Sequence, residues 1–187
     1  MSDPAHTPVP EATLERTEHG LVPTSEGWYI LNLSDAVARL NPDAGTRLRL
    51  EATDQLWPQL GLNIRILEPG QAACRYHEEG EQEAFLVLSG ACLAIVEDEE
   101  VPLRPWDVLH CPPGTRHVLV GAGDGPCAVL MIGARPWQAD ALVYPISDVA
   151  ARYHASVATP TALPEEAYAD WPGPSSEGPS PWPPADG

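Results

Sequence analysis

Two short stretches of the chain hold histidine and glutamate residues at spacings that suit a metal ion. In the first, His77 and Glu79 are two residues apart, and Glu83 follows a short turn. Residues two apart on an extended segment leave the same face, so His77 and Glu79 should point in one direction. In the second, His117 comes just after a Pro-Pro-Gly turn at 112–114, and a ligand beside a rigid turn loses little entropy on binding. These four residues are the candidate metal ligands.

Glu83 also opens a segment that is apolar on both faces. Phe85 and Val87 share the face of Glu83, whereas residues 84, 86 and 88 form the other face. This pattern is typical of a strand that is covered on both sides. Burying a carboxylate there is costly unless a cation meets it, and a divalent metal would do so.

The remaining pattern predicts an all-β domain. Short β-rich segments alternate with Gly, Pro or acidic turns, as in a sandwich or barrel. The predicted strands are Trp28–Leu33, Thr46–Glu51, Leu62–Leu67, Glu83–Ser89, Ala91–Glu97, Val108–Cys111, His117–Gly121 and Ala128–Ile132.

Four regions follow from this reading. Residues 1–26 are predicted to form a flexible N-terminal arm and residues 27–144 the barrel. Residues 145–170 form an extension with two short helices, one capped by Ser147 and one opened by Pro164. Residues 171–187, rich in proline, are predicted to be a disordered tail whose Trp171 and Trp182 either contact a partner or have no role.

The composition narrows the possible partners. Among 187 residues, 27 are acidic and 10 basic, for a formal net charge of −17. Such a surface repels phosphate backbones, so we expect neither nucleic-acid binding nor docking to an anionic membrane. No apolar segment is long enough to span a bilayer, and the N-terminus does not resemble a secretory signal. The four cysteines form no CxxC pair. We therefore expect a cytoplasmic protein with reduced, structural thiols.

The two stretches resemble the paired motifs of the cupin superfamily, G-x5-H-x-H-x3,4-E-x6-G and G-x5-P-x-G-x2-H-x3-N. The matching residues are Gly70, His77 (one position late), Glu83 and Gly90 in the first motif, and Pro112, Gly114 and His117 in the second. The motif region covers about residues 69–121, and the flanking strands extend the resemblance to about 28–133. Three positions depart from the pattern: Glu79 replaces the second histidine, Trp106 the glycine that opens the second motif, and Gly121 its terminal asparagine.

The resemblance implies a double-stranded β-helix, or jelly-roll barrel, with one metal ion inside its mouth. The ligand role then falls on His77, Glu83 and His117, and a homodimer through a barrel sheet is expected. If Glu79 is a fourth ligand, two imidazoles and two carboxylates favour Fe(II) or Mn(II), although Zn(II) can also fit. Alternatively, Glu79 is a general base beside the metal, or the site has lost its metal.

Other residues are weaker candidates for the pocket. His110 is interpreted as a pocket hydrogen-bond donor or as part of a dimer surface. Phe85 is a candidate pocket residue, and Tyr76 and Trp106 are candidate pocket or rim aromatics for which core packing is favoured. Arg65 or Arg75, if inside, would indicate a carboxylate or phosphate substrate.

Three functions remain open at this point. The first is a metal-dependent dioxygenase, isomerase or decarboxylase that acts on a small organic substrate. The second is a non-catalytic barrel that binds or senses a small ligand, and the third is a structural scaffold. Fold alone does not choose among them.

Overall fold

The computed structural model describes residues 7–52, 56–135, 141–171, 173 and 175–182. Within them the chain is mainly β-structure, with one 3₁₀ turn at Leu33–Asp35 and two short α-helices. No helix in these residues is long and apolar enough to cross a membrane. The strands are β1 Leu14–Thr17, β2 Gly20–Pro23, β3 Val37–Asn41, β4 Gly45–Leu48, β5 Leu60–Leu67, β6 Glu83–Ser89, β7 Ala91–Val96, β8 Glu99–Leu103, β9 Val108–Cys111, β10 His117–Ala122, β11 Cys127–Ala134 and β12 Ser176–Pro179; the helices are α1 Asp148–Ala151 and α2 Pro164–Ala167.

Two antiparallel sheets form the barrel. The larger has seven strands in the order β12-β3-β4-β5-β11-β6-β9, the smaller has the order β10-β7-β8, and β1 and β2 form a separate hairpin. Phe85, Val87 and Val129 of the large sheet share one buried cluster with Cys92 and Leu119 of the small sheet. The main core therefore lies between the two sheets, which confirms the predicted all-β class.

The large sheet is also covered on its outer face. Leu48, Ile64 and Ile66 belong to a second buried cluster, against which Leu33 and Trp182 pack. Because successive side chains of a strand point to opposite faces, residues 63, 65 and 67 of β5 point inward, toward the barrel. This alternation decides which polar residues of β5 reach the interior.

The C-terminal extension packs against the small sheet. Ser147 caps α1 by accepting a hydrogen bond from the backbone N–H of Ala150, as predicted. Arg75 fixes this extension: its buried guanidinium donates to the carbonyls of His154, Ser156 and Ala167, pairs with Asp170, and lies 4.5 Å from the ring of Trp171. A single barrel arginine thus holds the extension from residue 154 to residue 171.

The two chain ends differ from the prediction. The arm predicted at 1–26 contains the β1–β2 hairpin, whose register is fixed by residues 14–23. In the tail, β12 adds to the edge of β3, and Gly178 lies opposite Ala38. A proline-containing segment can do this because an edge strand needs hydrogen bonds on one side only. Trp171 and Trp182 also pack within the chain. Residues 1–6 and 183–187 lie outside the described residues.

The strand predictions succeed best around the motifs. The predicted bounds of β6 and β9 agree with the structure, and those of β5, β7, β10 and β11 differ by two residues or fewer at each end. The strand predicted at 28–33 is wrong, because Trp28 makes only an isolated bridge to Glu11. Strands β3 and β8, like β1, β2 and β12, were not predicted from the sequence.

Candidate metal centre

His77 and His117 are placed side by side by the backbone. The two residues form an antiparallel bridge in which each N–H donates to the other's carbonyl, at 3.2 and 2.8 Å. Their ring centroids are 4.8 Å apart, and both side chains are buried. The bridge joins the first motif to the start of β10, so residues 40 positions apart in the chain share one site.

Both imidazoles are oriented by main-chain acceptors. The Nδ1 atom of His77 lies 2.7 Å from the carbonyl oxygen of Arg75, and that of His117 lies 3.0 Å from the carbonyl oxygen of Thr115. Because a carbonyl can only accept, each Nδ1 must carry the proton. Each Nε2 is therefore the nitrogen that can bind a metal once its own proton is displaced, an arrangement typical of metal-ligating histidines.

Glu83 completes a three-residue ligand set. It is the first residue of β6, between Cys111 of β9 and Gly133 of β11. Its Oε2 lies 3.1 Å from Nε2 of His117. The candidate ligand atoms of His77, Glu83 and His117 all lie within 4.8 Å of one another, which is close enough for a single ion to contact all three.

Glu79 lies at the edge of this set. Its Oε1 is 3.4 Å from Nε2 of His77, and it is not part of the three-residue group. Its backbone carbonyl accepts from the N–H of Gly114 at 2.7 Å. The Pro-Pro-Gly turn thus fixes the loop that carries Glu79, and the carboxylate reaches the site from the side of His77.

The electrostatics of the site favour a cation. Burial by itself lowers the pKa of His77 and His117. Contacts with Cys74 and Glu79 outweigh it for His77, and contacts with Cys111 and Glu83 outweigh it for His117, so that the pKa of both is raised. Carboxylates beside a buried group favour its positive form. The same negative environment would stabilise a divalent ion among these side chains.

A cavity of about 440 Å³ opens in front of the ligands. Its wall is mostly apolar beyond the ligands, and Asn63 contributes a buried side-chain oxygen without a hydrogen-bond partner among the described residues. Buried polar atoms are rarely left unpaired, so Asn63 is suited to contact a ligand. The cavity is also lined by Arg47, Phe85, Leu119, Met131 and Arg135.

Of the further pocket candidates, Phe85 lies in the cavity, and Tyr76, His110 and Trp106 do not. Phe85 lines the cavity, with its ring 5.1 Å from that of His117. Tyr76 does not line it: the residue is buried under the extension, and its hydroxyl accepts from the N–H of Asp98. His110 is exposed on β9, because its neighbour Cys111 takes the inward position.

Neither of the two arginines proposed from the sequence lines the cavity, whereas Arg47 and Arg135 do. Arg75 holds the C-terminal extension, and Arg65 donates to the carbonyl of Ala44. Asn63, Arg47 and Arg135 were not predicted from the sequence as cavity residues. The period-two pattern of β5 could have placed Asn63 on the inner face, but Arg47 and Arg135 depend on strand register and on the end of β11.

The departures at Trp106 and Gly121 leave the motif backbone intact. Trp106 has a φ of 76°, so it keeps the left-handed conformation that glycine adopts most easily. At Gly121, a Cβ atom would lie 2.2 Å from the carbonyl oxygen of Glu68, and no side chain fits. The turn geometry is therefore retained at Trp106. At position 121, the close approach of the Glu68 backbone explains why the residue is glycine.

Comparison with known proteins identifies the fold. Residues 63–133 match the cupin domain family. A sugar phosphate isomerase from Silicibacter pomeroyi is 29% identical over 57% of this chain and 76% of its own, with a TM-score of 0.51. A polyketide cyclase from Streptomyces resistomycificus has the same TM-score at 16% identity, over 59% of this chain and 81% of its own. The barrel of this chain therefore has the cupin fold.

Other matches are more limited. A protein from Acidithiobacillus ferrooxidans is 30% identical over 41% of this chain, with a TM-score of 0.40, and the match spans 51% of its length. The chain thus spans about half the length of that relative. No curated protein matches the sequence.

Proposed function

We propose that this protein is a metal-dependent cupin enzyme that acts on a small organic substrate inside the barrel. The observation that carries the proposal is the convergence of His77, Glu83 and His117 at the wall of a 440 Å³ cavity, with both Nε2 atoms available. Two imidazoles and one carboxylate suit Fe(II), and the carboxylate also suits Mn(II), whereas Zn(II) can bind the same set. One such ion is the proposed cofactor.

Six residues of the cavity bind the ion, exclude water or orient the substrate in this proposal. His77, Glu83 and His117 hold the ion, which when bound would polarise a carbonyl oxygen of the substrate. Phe85 and Leu119 exclude water from one side. The unpaired oxygen of Asn63 accepts a hydrogen bond from a substrate hydroxyl and orients it.

Isomerisation is the reaction that these groups support best. The carboxylate of Glu79, at the edge of the ligand set, can remove a proton from a hydroxyl-bearing carbon beside a carbonyl and return it to the former carbonyl carbon, while the hydroxyl proton passes to the former carbonyl oxygen. Similarity to the sugar phosphate isomerase from Silicibacter pomeroyi supports the same class. Glu79 is therefore proposed as the base, and a role as fourth ligand is the alternative.

The first test is the metal content of the full chain purified without chelator. We expect near-stoichiometric Fe or Mn in the wild type and its loss in His117→Ala. His110→Ala is the matched control, because His110 is exposed on the neighbouring strand and should leave the metal content unchanged. Absence of metal after incubation with Fe(II), Mn(II) and Zn(II) would contradict the proposal and leave a binding or scaffold barrel.

The Glu79→Gln variant separates the two roles of Glu79. A base can be removed without loss of the metal, so we expect a normal metal content and at least about a hundredfold loss of turnover. Loss of metal together with turnover would instead identify Glu79 as a ligand. The assay is interconversion of aldose and ketose substrates, followed by NMR in deuterated water so that exchange at carbon is seen directly.

A dioxygenase is the second candidate, because two histidines and one carboxylate are the ligand set of many Fe(II) oxygenases. Substrate-dependent oxygen uptake by the Fe(II)-loaded protein would favour it over isomerisation.

The homodimer expected from the sequence stays a prediction, which light scattering in solution would check.

A further inference from the structure

Arginines form a row across the inner face of the large sheet. In the strand register, Arg39 of β3 lies opposite Arg47 of β4, and Arg47 lies opposite Arg65 of β5. Residues directly opposite each other point to the same face. Arg49 and Arg135 lie beside this row and line a second cavity of about 250 Å³ together with Arg39 and Arg47.

The charge of this cluster is unusual for the chain. It holds five of the ten basic residues in a protein with a net charge of −17. Among the described residues, two carboxylates pair with it: Glu51 with Arg135, at 3.0 and 3.1 Å, and Glu177 with Arg49, at 3.4 Å. Three positive charges are therefore left uncompensated by these pairs.

Arg39 and Arg47 are the members best placed to bind something else. Neither makes a hydrogen bond or an ion pair with a described residue, and both are exposed to the cavity. Like charges directly opposite on neighbouring strands are destabilising. Burial, followed by the nearby charge of Arg39, lowers the pKa of Arg47, and the carboxylate of Glu51 offsets this only in part. An oxyanion between the two guanidinium groups would remove this repulsion.

The row adjoins the candidate metal centre. Arg47, Leu62 and Arg135 line both the 250 Å³ cavity and the 440 Å³ cavity that contains His77, Glu83 and His117. A small molecule in the larger cavity can thus contact both the candidate ligands and Arg47, which lies on the wall shared with the smaller cavity.

We infer that Arg39 and Arg47 bind the phosphate group of a phosphate monoester whose carbon chain reaches the metal centre. The inference rests on the proposed function for the identity of the other end of the substrate. Phosphate is preferred to a carboxylate because a dianion matches more than one uncompensated positive charge. Guanidinium groups also bind phosphate oxygens with two parallel hydrogen bonds.

The test uses inorganic phosphate as the probe. Calorimetric titration of the full chain, as purified and again after treatment with a chelator, should show one saturable site in both samples. Arg47→Gln and Arg39→Gln should each weaken binding by about tenfold or more, since each removes charged hydrogen bonds. Arg16→Gln is the matched control: it removes the same charge from an exposed position on β1 and should bind as the wild type does.

The melting temperature of each variant shows whether a loss of phosphate binding comes from a folding defect. Without phosphate, Arg47→Gln and Arg39→Gln should melt at the same temperature as the wild type or higher, because a repulsive pair is removed. With phosphate, only the wild type and Arg16→Gln should gain stability, compared with sodium chloride at equal ionic strength. Unchanged phosphate binding in Arg47→Gln would overturn the inference, and so would acetate binding as tightly as phosphate.

The outcomes also separate this inference from the proposed function. The metal content of Arg47→Gln should equal that of the wild type, because Arg47 is not a proposed ligand. Phosphate binding in a chain that takes up no metal would support the anion site and contradict the enzyme proposal. Metal uptake without phosphate binding would contradict the anion site alone.

Discussion

At the scale of single residues, the grouping of three candidate ligands could be predicted because its signal lies in residue type and spacing. His77, Glu83 and His117 stand at fixed distances from glycines and prolines that shape the motif turns, and the structure brings their ligand atoms within 4.8 Å. Arg47 could not be predicted in the same way. Its position in the cavity depends on the register of β4 against β5, which is set by long-range pairing rather than by local sequence.

Trp106 has a strained backbone conformation, and its side chain makes little packing contact. Its φ of 76° lies in the left-handed region, and its side chain is 75% exposed. Its N–H donates to the carbonyl of Val87 at 2.8 Å, which ties the turn to β6. The backbone conformation is therefore imposed by the turn and not by packing of the indole ring.

This strain leads to a prediction about two substitutions. Trp106→Gly and Trp106→Ala both remove the ring, but glycine alone relieves the strain. We expect Trp106→Gly to be more stable than Trp106→Ala by about 1 kcal/mol, measured by urea denaturation. Equal stability of the two variants would mean that the turn adopts another conformation in solution.

At the scale of secondary structure, the strands around the motifs were predictable and the chain ends were not. The apolar segments at β6, β10 and β11 are long and lie between clear turns, so local pattern was sufficient. β12 has the sequence Ser-Glu-Gly-Pro, which has no strand-like pattern of its own. It forms because β3 offers a free edge and because Trp182 packs on the outer core, neither of which is visible in the tail itself.

Arg75 is the link between the barrel and the helical extension. Its side chain is almost fully buried, whereas that of its partner Asp170 is 79% exposed. The carbonyls that it binds would lose their donor if the guanidinium were removed. The ion pair itself should contribute little, because its acidic member is in contact with water.

The two sides of this link should therefore respond differently to mutation. Arg75→Gln should lower the free energy of unfolding by about 2–4 kcal/mol, because buried carbonyls are left unpaired. Asp170→Asn should lower it by about 1 kcal/mol or less. Limited proteolysis should cut the extension faster in Arg75→Gln alone. Similar losses in both variants would show that the ion pair, and not the carbonyl contacts, holds the extension.

At the scale of the whole molecule, charge is distributed unevenly. The formal net charge is −17, yet five arginines lie together near the cavity. The acidic exterior attracts divalent cations and repels anions at long range. The arginine row acts only at short range, once an anion has reached the barrel mouth. Long-range attraction and local recognition thus favour different ligands, a cation and an anion, which the proposed function and the inferred phosphate site together require.

The net charge also predicts how stability depends on salt. Repulsion among acidic groups destabilises the folded state, and the screening length falls from about 30 Å at 0.01 M salt to about 8 Å at 0.15 M. Raising sodium chloride over this range should increase the melting temperature by about 2–4 °C, which corresponds to about 1 kcal/mol for a chain of this size. Arg47→Gln should show the same increase, because the effect comes from the whole surface. A salt response confined to the wild type would instead mean that chloride binds at the arginine row.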